Sequence, residues 1–414
     1  MDYIINGGQR IAGEIPAYGA KNCVLPLLGA CMLTDDEIIL HNCPKITDVE
    51  NMTRLLRSMG KQLSWNGDTI TVEGRLSSTQ AQHSLAKLLR GSALILGSTL
   101  AKYGEIDLPL PGGCAIGKRP MDIHLAGLER MGAQIECIDN VLICRGALHC
   151  AEYEMRFPSV GATENLLCAA ALTNGETILK NCATEPEVEA LERMLVSMGC
   201  CIEGVGTPNL AVRGVEKLRG TEFTVIPDRI VVATYLSAAI ASCGKVTVTN
   251  CQPRHLRAFL NMLQSRVDVT EYSDAVTIDC NSQPTGYGRV TTAPYPFFPT
   301  DMQSLVLALA SFSNGGSTVI CENLFESRLE HIARELALMG GNILVENNVA
   351  RVVGSRLSAA EVTARDLRGG AALVIAGLNA IGQTTVHGVE NICRGYLDFA
   401  ENLSRLGAKI IIKD

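Results

Sequence analysis

Aromatic side chains are scarce: they make up 4% of 414 residues, and Trp65 is the single tryptophan. So few rings cannot build a stacking platform for bases or a large aromatic cage. Basic charge is not in excess either. Lys and Arg number 36 against 43 Asp and Glu, a net charge of −7 with a pI near 5.6, which disfavours a general nucleic-acid surface. No apolar run reaches the ~20 residues of a membrane span. The longest candidate, 231–242, is interrupted by Thr234 and Ser237. The opening MDYIINGGQRIAGEI lacks the basic-then-apolar pattern of an export signal, so a cytoplasmic protein is expected.

Sixteen cysteines are present, yet none form a CxxC pair, and the seven histidines do not join them at metal-ligand spacing. In a reducing compartment these are expected to be free thiols, with no disulfide framework and no metal site. What the chain has in quantity is apolar residues, 47% against 19% charged, enough to fill large cores. Its length suits two domains of ordinary size.

One signature recurs six times: a helix end, usually with glycine, followed by a short alternating strand. Its instances are LLRSMGKQLSW, GLERMGAQIECI, MLVSMGCCIEGV, NMLQSRVDVTEY, ELALMGGNILVE and NLSRLGAKIIIK, with the glycine-equivalent positions at 60, 132, 199, 266, 340 and 407. A glycine past the last helical turn supplies the left-handed backbone of a helix stop. A second element keeps step with it: EIILHNCP, EIDLPLPGG, ETILKNCA, KVTVTNCQ, STVICENL and TTVHGVEN, each a period-2 run closed by turn residues. The period of roughly 70 residues predicts six mixed strand and helix modules. Stretches such as SALILGSTLAKYG and QSLVLALASFS lack a wide polar face, so these helices belong inside, with the sheets outside them. Six modules divide into two domains of three, and a cleft between domains is where a small ligand is expected.

The segment PGGCAIGKRP, residues 111–120, stands apart from this pattern. Glycines flank Cys114, prolines fence both ends, and Lys118 and Arg119 follow the thiol. Adjacent cations stabilise a thiolate, so an exposed reactive cysteine is one reading and a small buried hydrophobe the other.

With these residues in place, the chain closely resembles the enolpyruvyl transferase family, from end to end. The motifs are GAKN (19–22), LPGGCAIGKRPMDIH (110–124), SVGAT (159–163), EPE (185–187), PDRI (227–230), FPTDMQ (298–303), RDLRGGAAL (365–373) and RGY (394–396). Within the family the match is to the enzymes acting on UDP-N-acetylglucosamine. The resemblance implies a two-domain inside-out α/β barrel, each domain three repeats, divided as 20–228 and 1–19 plus 229–414. It also implies transfer of the enolpyruvyl group of phosphoenolpyruvate to the 3′-hydroxyl of that sugar nucleotide, with phosphate released. No organic cofactor, metal, nucleic acid, membrane or obligate protein partner follows from that chemistry.

By the same resemblance Cys114 is the loop residue assigned to proton donation or product release, and the residue alkylated by fosfomycin. Asp301 matches the candidate base near the sugar hydroxyl, although a helix N-cap is an equally good reading of the residues alone. Lys21, Arg119 and Arg394 match the phosphoenolpyruvate-binding cations; Arg90, Arg328 and Arg368 match further arginines around the cleft. Guanidinium groups suit bidentate capture of carboxylate and phosphate, whereas a lone arginine is usually a solvated surface group. Asn22 is implied to contact the sugar. Arg119, Pro120, Met121, Asp122 and Ile123 are implied at the uracil end, Ser159, Val160 and Gly161 at the diphosphate, and Leu324 and Phe325 beside the nucleotide sugar. Asp366 and Glu187 are assigned supporting roles.

Four positions depart from the family pattern. Val231 stands where Glu is usual, Cys393 where Asp is usual, Ser327 where Asn is usual, and Arg266 takes the place of the fourth repeat glycine. Two alternatives therefore accompany the main reading. One is a catalytically weak sugar-nucleotide-binding paralogue. The other is a 5-enolpyruvylshikimate-3-phosphate synthase, which carries a GSKS-type start and lacks the PGGCAIGKRP loop.

Overall fold

The computed structural model describes residues 1–110 and 121–413, so Cys114, Arg119 and Pro120 lie outside the described residues. The chain forms two compact units, one made of 1–18 with 227–413 and the other of 19–110 with 121–226.

Each unit carries three small sheets built to one plan. In the unit spanning 19–226, Thr221–Thr224 runs parallel to Ile38–His41, which pairs antiparallel with Thr69–Glu73, and that strand with Gln62–Asn66. Glu152–Glu154, Glu176–Lys180, Asn209–Arg213 and Cys201–Glu203 repeat the order. In the third sheet a single parallel bridge, Gln80 to Asp107, stands where the others have a full parallel strand. The other unit repeats the plan three times, each time opening with a parallel pair: Ala12–Pro16 with Lys245–Thr249, Gly288–Thr291 with Ser317–Cys321, and Glu361–Thr363 with Gln383–His387. Its last sheet takes its two remaining strands from opposite ends of the sequence. Asp2–Asn6 lies between Gln383–His387 and Lys409–Lys413, with Asp2 opposite Lys413 and Asn6 opposite Lys409.

Inside these sheets sit helices buried on every side. All thirteen residues of Arg229–Ala241 and all nine of Gln303–Ser311 are buried, and both pack on Leu367–Asn379. The predicted arrangement of helices within and sheets without is what is observed. Burying side chains such as Tyr235, Leu236 and Leu307 stabilises the unit by about 1.5–3 kcal/mol each. In the other unit Leu96–Tyr103 packs on Val160–Ala170, and a Cβ at Gly97 would fall 2.0 Å from the Asn165 carbonyl oxygen. Only glycine permits that approach.

The helix stops follow the repeat. Gly60, Gly132, Gly199, Gly340 and Gly407 all have positive φ. The fourth repeat differs: Ser265 takes the left-handed conformation one residue early, at φ 64°. Arg266 then turns its guanidinium to two carbonyls, with Nη1 2.9 Å from Met262 O in the preceding helix and Nε 3.1 Å from Gly286 O. The arginine satisfies acceptors left open at the helix end. Among the described residues no helix is long and apolar enough to cross a membrane.

Candidate functional site

In the unit spanning 19–226, helix starts organise the motif residues. Lys21 opens the helix Lys21–Ala30, followed by Asn22, and its Nζ lies 3.1 Å from Asp48 Oδ2 with both side chains largely buried. Ser159 caps the helix Val160–Ala170 by accepting from the Ala162 N–H at 3.4 Å, which sets Val160 and Gly161 in its first turn. Backbone N–H groups at such a start favour an anion. Met121 precedes the helix Asp122–Arg130, Asp122 pairs with Arg156, and the Ile123 carbonyl accepts from the Tyr153 hydroxyl at 3.3 Å.

A residue inside the quoted motif but given no role, His124, turns out to be central here. Its ring covers Gly161, where a Cβ would meet Cε1 at 3.0 Å. Asn165 Oδ1 accepts from the Gly97 N–H at 2.9 Å, so its Nδ2 must donate, to the Gly161 carbonyl at 3.1 Å and to His124 Nδ1 at 3.0 Å. The ring proton therefore resides on Nε2. Burial and the nearby Arg90 push the His124 pKa down to about 4, against a smaller opposing pull from Asp122. Arg90 itself opens the turn Arg90–Ile95. Glu164, two residues past Ala162 on the same helix, is wholly buried; burial first, then Glu187 and Glu185, raise its pKa well above the ordinary carboxyl value. Glu187 is buried too, in the helix Pro186–Ser197.

In the unit of 1–18 and 227–413 the structure gathers residues from four motifs. Asp301 lies in the short turn Thr300–Met302 ahead of the helix Gln303–Ser311, and it does not cap that helix. Its carboxylate turns instead to two arginines: Oδ1 is 2.7 Å from Arg328 Nη2 and Oδ2 is 4.0 Å from Arg368 Nη2. Both guanidinium groups are buried, with side-chain exposures of 2% and 5%. Arg328 also donates through Nη1 to Thr300 Oγ1 at 2.9 Å, and Thr300 donates to Glu322 Oε2 at 2.8 Å. The other Glu322 oxygen accepts the N–H groups of Leu324 at 2.8 Å and Phe325 at 3.2 Å, and the Phe325 ring lies under Arg328. Asp301 thus stands between two buried guanidinium groups, and among the described residues Arg328 Nε and Arg368 Nη1 find no hydrogen-bond partner. Such donors favour an anionic or oxygen-rich ligand.

Asp366 is the N-cap of Leu367–Asn379, accepting from the Arg368 and Gly369 N–H groups at 3.0 and 2.9 Å. It therefore orients the backbone that carries Arg368. Arg368 stacks on Tyr396 at 5.5 Å. Burial opposes its charge, yet Tyr396, Asp301 and Asp228 outweigh that and hold its pKa above the ordinary value. Arg394 ends the short helix Glu390–Cys393, and the RGY backbone is held from the amino-terminal segment: Tyr18 donates to Gly395 O at 3.3 Å and accepts from Leu397 N at 3.0 Å. Sequence reasoning gave Tyr18, Thr300, Glu322 and Asn165 no role. The latter three act through contacts that no local pattern encodes.

The departures settle into ordinary positions. Val231 is fully buried, with its N–H 3.1 Å from Asp228 Oδ1, so an apolar side chain suits the place. Ser327 occupies the start of Arg328–Leu338 without capping it, and Cys393 is half-buried against Tyr3.

A family model described as EPSP synthase (3-phosphoshikimate 1-carboxyvinyltransferase) matches residues 5–403. The UDP-N-acetylglucosamine 1-carboxyvinyltransferase of Cellvibrio japonicus is 44% identical over 414 residues, covering 99% of this chain and 98% of that protein. UDP-N-acetylglucosamine 1-carboxyvinyltransferase 2 of Caldanaerobacter subterraneus is 40% identical over 411 residues, covering 98% of each. Among solved structures, the enolpyruvyl transferase NikO from Streptomyces tendae matches with a TM-score of 0.89 at 25% identity, over 99% of this chain and 98% of that one. An EPSP synthase from Acinetobacter baumannii shares the fold, with a TM-score of 0.74 at 19% identity over 99% of this chain and 100% of that one.

Proposed function

The chain belongs to the enolpyruvyl transferase family, and from that premise we propose that it transfers the enolpyruvyl group of phosphoenolpyruvate to the 3′-hydroxyl of UDP-N-acetylglucosamine, releasing phosphate. This is the first committed step of peptidoglycan precursor synthesis. The observation that carries the reading is full-length identity of 40–44% to relatives named for that activity. A reaction of this kind adds and then eliminates. The methylene carbon of phosphoenolpyruvate gains a proton, and the sugar oxygen, losing its own, bonds to the adjacent carbon. The tetrahedral adduct then expels phosphate and returns a proton from the new methyl group. A general acid, a base and cations for the anionic donor are required.

Lys21, Arg119 and Arg394 would hold phosphoenolpyruvate. Asp301, positioned by Arg328 and Arg368, would relieve the 3′-hydroxyl of its proton. The backbone of Arg119 to Ile123 would receive the uracil, and the helix start at Ser159, Val160 and Gly161 the diphosphate. Asn22, Arg90, Leu324 and Phe325 would line the sugar nucleotide. Cys114 would serve proton transfer or product release and would be the site of fosfomycin alkylation.

The deciding experiment follows phosphate release with each substrate omitted in turn, before and after fosfomycin. Release that needs both substrates and stops after the drug is expected. Release with shikimate 3-phosphate as acceptor would replace the reading with the synthase. Sugar-nucleotide binding without release would replace it with a non-catalytic sensor. Asp301→Asn should lower kcat by about 10²–10⁴-fold while leaving UDP-N-acetylglucosamine binding measurable by calorimetry.

A further inference from the structure

The start of the helix Val160–Ala170 carries a side-chain network whose direction the backbone dictates. Asn165 is fully buried on that helix, one turn past Gly161. A backbone N–H can only donate, so the Asn165 atom that faces the Gly97 N–H at 2.9 Å is Oδ1. A backbone carbonyl can only accept, so the atom that faces Gly161 O at 3.1 Å is Nδ2. Both ends of the amide are thereby settled. The second Nδ2 proton goes to His124 Nδ1, 3.0 Å away, which must accept it. A neutral imidazole that accepts at Nδ1 carries its proton on Nε2. Burial and Arg90 keep the ring neutral against a weaker pull from Asp122, with a pKa of about 4. The missing side chain of Gly161 lets this ring rest on the helix: a Cβ there would stand 3.0 Å from Cε1 and 3.4 Å from Nε2. Nε2 thus lies over the first turn, whose N–H groups have no acceptor within the helix. Among the described residues Nε2 itself meets no hydrogen-bond acceptor.

We propose that Asn165 is a positioning residue that fixes the His124 proton on Nε2, so that the uncharged ring donates a hydrogen bond to a phosphate oxygen held at this helix start. The side-chain donor then joins the backbone N–H groups of Val160 and Gly161 around one anion. Without the Asn165 amide the imidazole is free to place its proton on Nδ1, and a lone pair on Nε2 would face the phosphate and repel it. The inference rests on the proposed reading of Ser159, Val160 and Gly161 as the diphosphate site.

Nitrogen NMR of the wild-type protein with isotope-labelled histidine tests this directly, His124→Gln serving to assign the signal. At neutral pH His124 should show a protonated Nε2 and a bare Nδ1, and UDP should shift Nε2 where uridine does not. In calorimetry, Asn165→Leu and His124→Leu should each bind UDP-N-acetylglucosamine about ten- to a hundredfold more weakly, the scale of one hydrogen bond to a charged group. Their kcat at saturating substrate, and KM for phosphoenolpyruvate, should stay within about threefold of wild type. His124→Gln, whose amide can donate from a similar place, should recover most of the affinity, and Asn165→Leu should show both tautomers of His124. A wild-type proton on Nδ1, or an Nε2 signal blind to UDP, overturns the inference. So does a lower melting temperature with unchanged affinity, since that marks residues of stability alone. If Asn165→Leu does not fold, the wild-type spectra and His124→Leu decide. A wild-type protein that binds no UDP sinks the diphosphate reading and the inference together, whereas UDP binding that leaves His124 untouched sinks the inference alone.

Discussion

At the scale of single residues, the structure shows how much work falls to side chains that no motif singles out. Neutral His124 is the clearest case, because its depressed pKa ties stability to pH. Its ordinary value is 6.5 and its folded value about 4, so between these the unfolded chain binds more protons and stability falls as the pH is lowered. The loss from this group should be about 2 kcal/mol between pH 7.5 and pH 5. Urea unfolding at the two pH values should show it in the wild-type protein and a flatter response in His124→Gln. Arg328 offers a second test. One guanidinium reaches both Thr300 and Asp301, a fork that an ammonium cannot copy. Arg328→Lys should therefore lose at least tenfold in kcat despite keeping its charge, as steady-state kinetics would reveal. Asp301, Arg328 and Arg368 were singled out in the sequence as motif matches, whereas Thr300 and Glu322 were not. The convergence of the three was not legible there, since Asp301 stands 27 residues from Arg328 and is tied to Arg368 only through the packing of separate helices.

At the scale of elements, the sequence announced its helix stops through glycine, and five of the six take positive φ as that residue type allows. The sixth could not be read, because Arg266 compensates for the missing glycine through one bond to Met262 at the helix end and one to the distant Gly286. The strain has moved to Ser265, and left-handed backbone at a residue with a Cβ costs roughly 1–2 kcal/mol. Ser265→Gly should recover part of this, stabilising the protein by about 0.5–1 kcal/mol in a denaturant titration. Gly97→Ala should do the reverse. Its methyl group would press on the backbone of Asn165, and the helices must separate, at a cost of about 3 kcal/mol or more. Buried helices were legible from their lack of a polar face, whereas this close crossing was hidden behind a single unremarkable glycine.

At the scale of the whole molecule, the six-module pattern was open to view, since its period survives in both strand and helix-stop motifs. What the period could not reveal is how the last module is completed. Its sheet needs Asp2–Asn6 between Gln383–His387 and Lys409–Lys413, and Tyr3 and Ile5 are buried there. Deleting residues 1–6 should therefore unfold the unit it belongs to, read as lost cooperative melting, and not act as the trimming of a tail. Pairing of the first strand with the last also has a consequence in time. A ribosome delivers Asp2–Asn6 nearly four hundred residues ahead of its partners. Residues 19–226 can close their own three sheets while synthesis continues. Asp2–Asn6 must wait, unpaired, until Gln383–His387 and Lys409–Lys413 emerge to receive it.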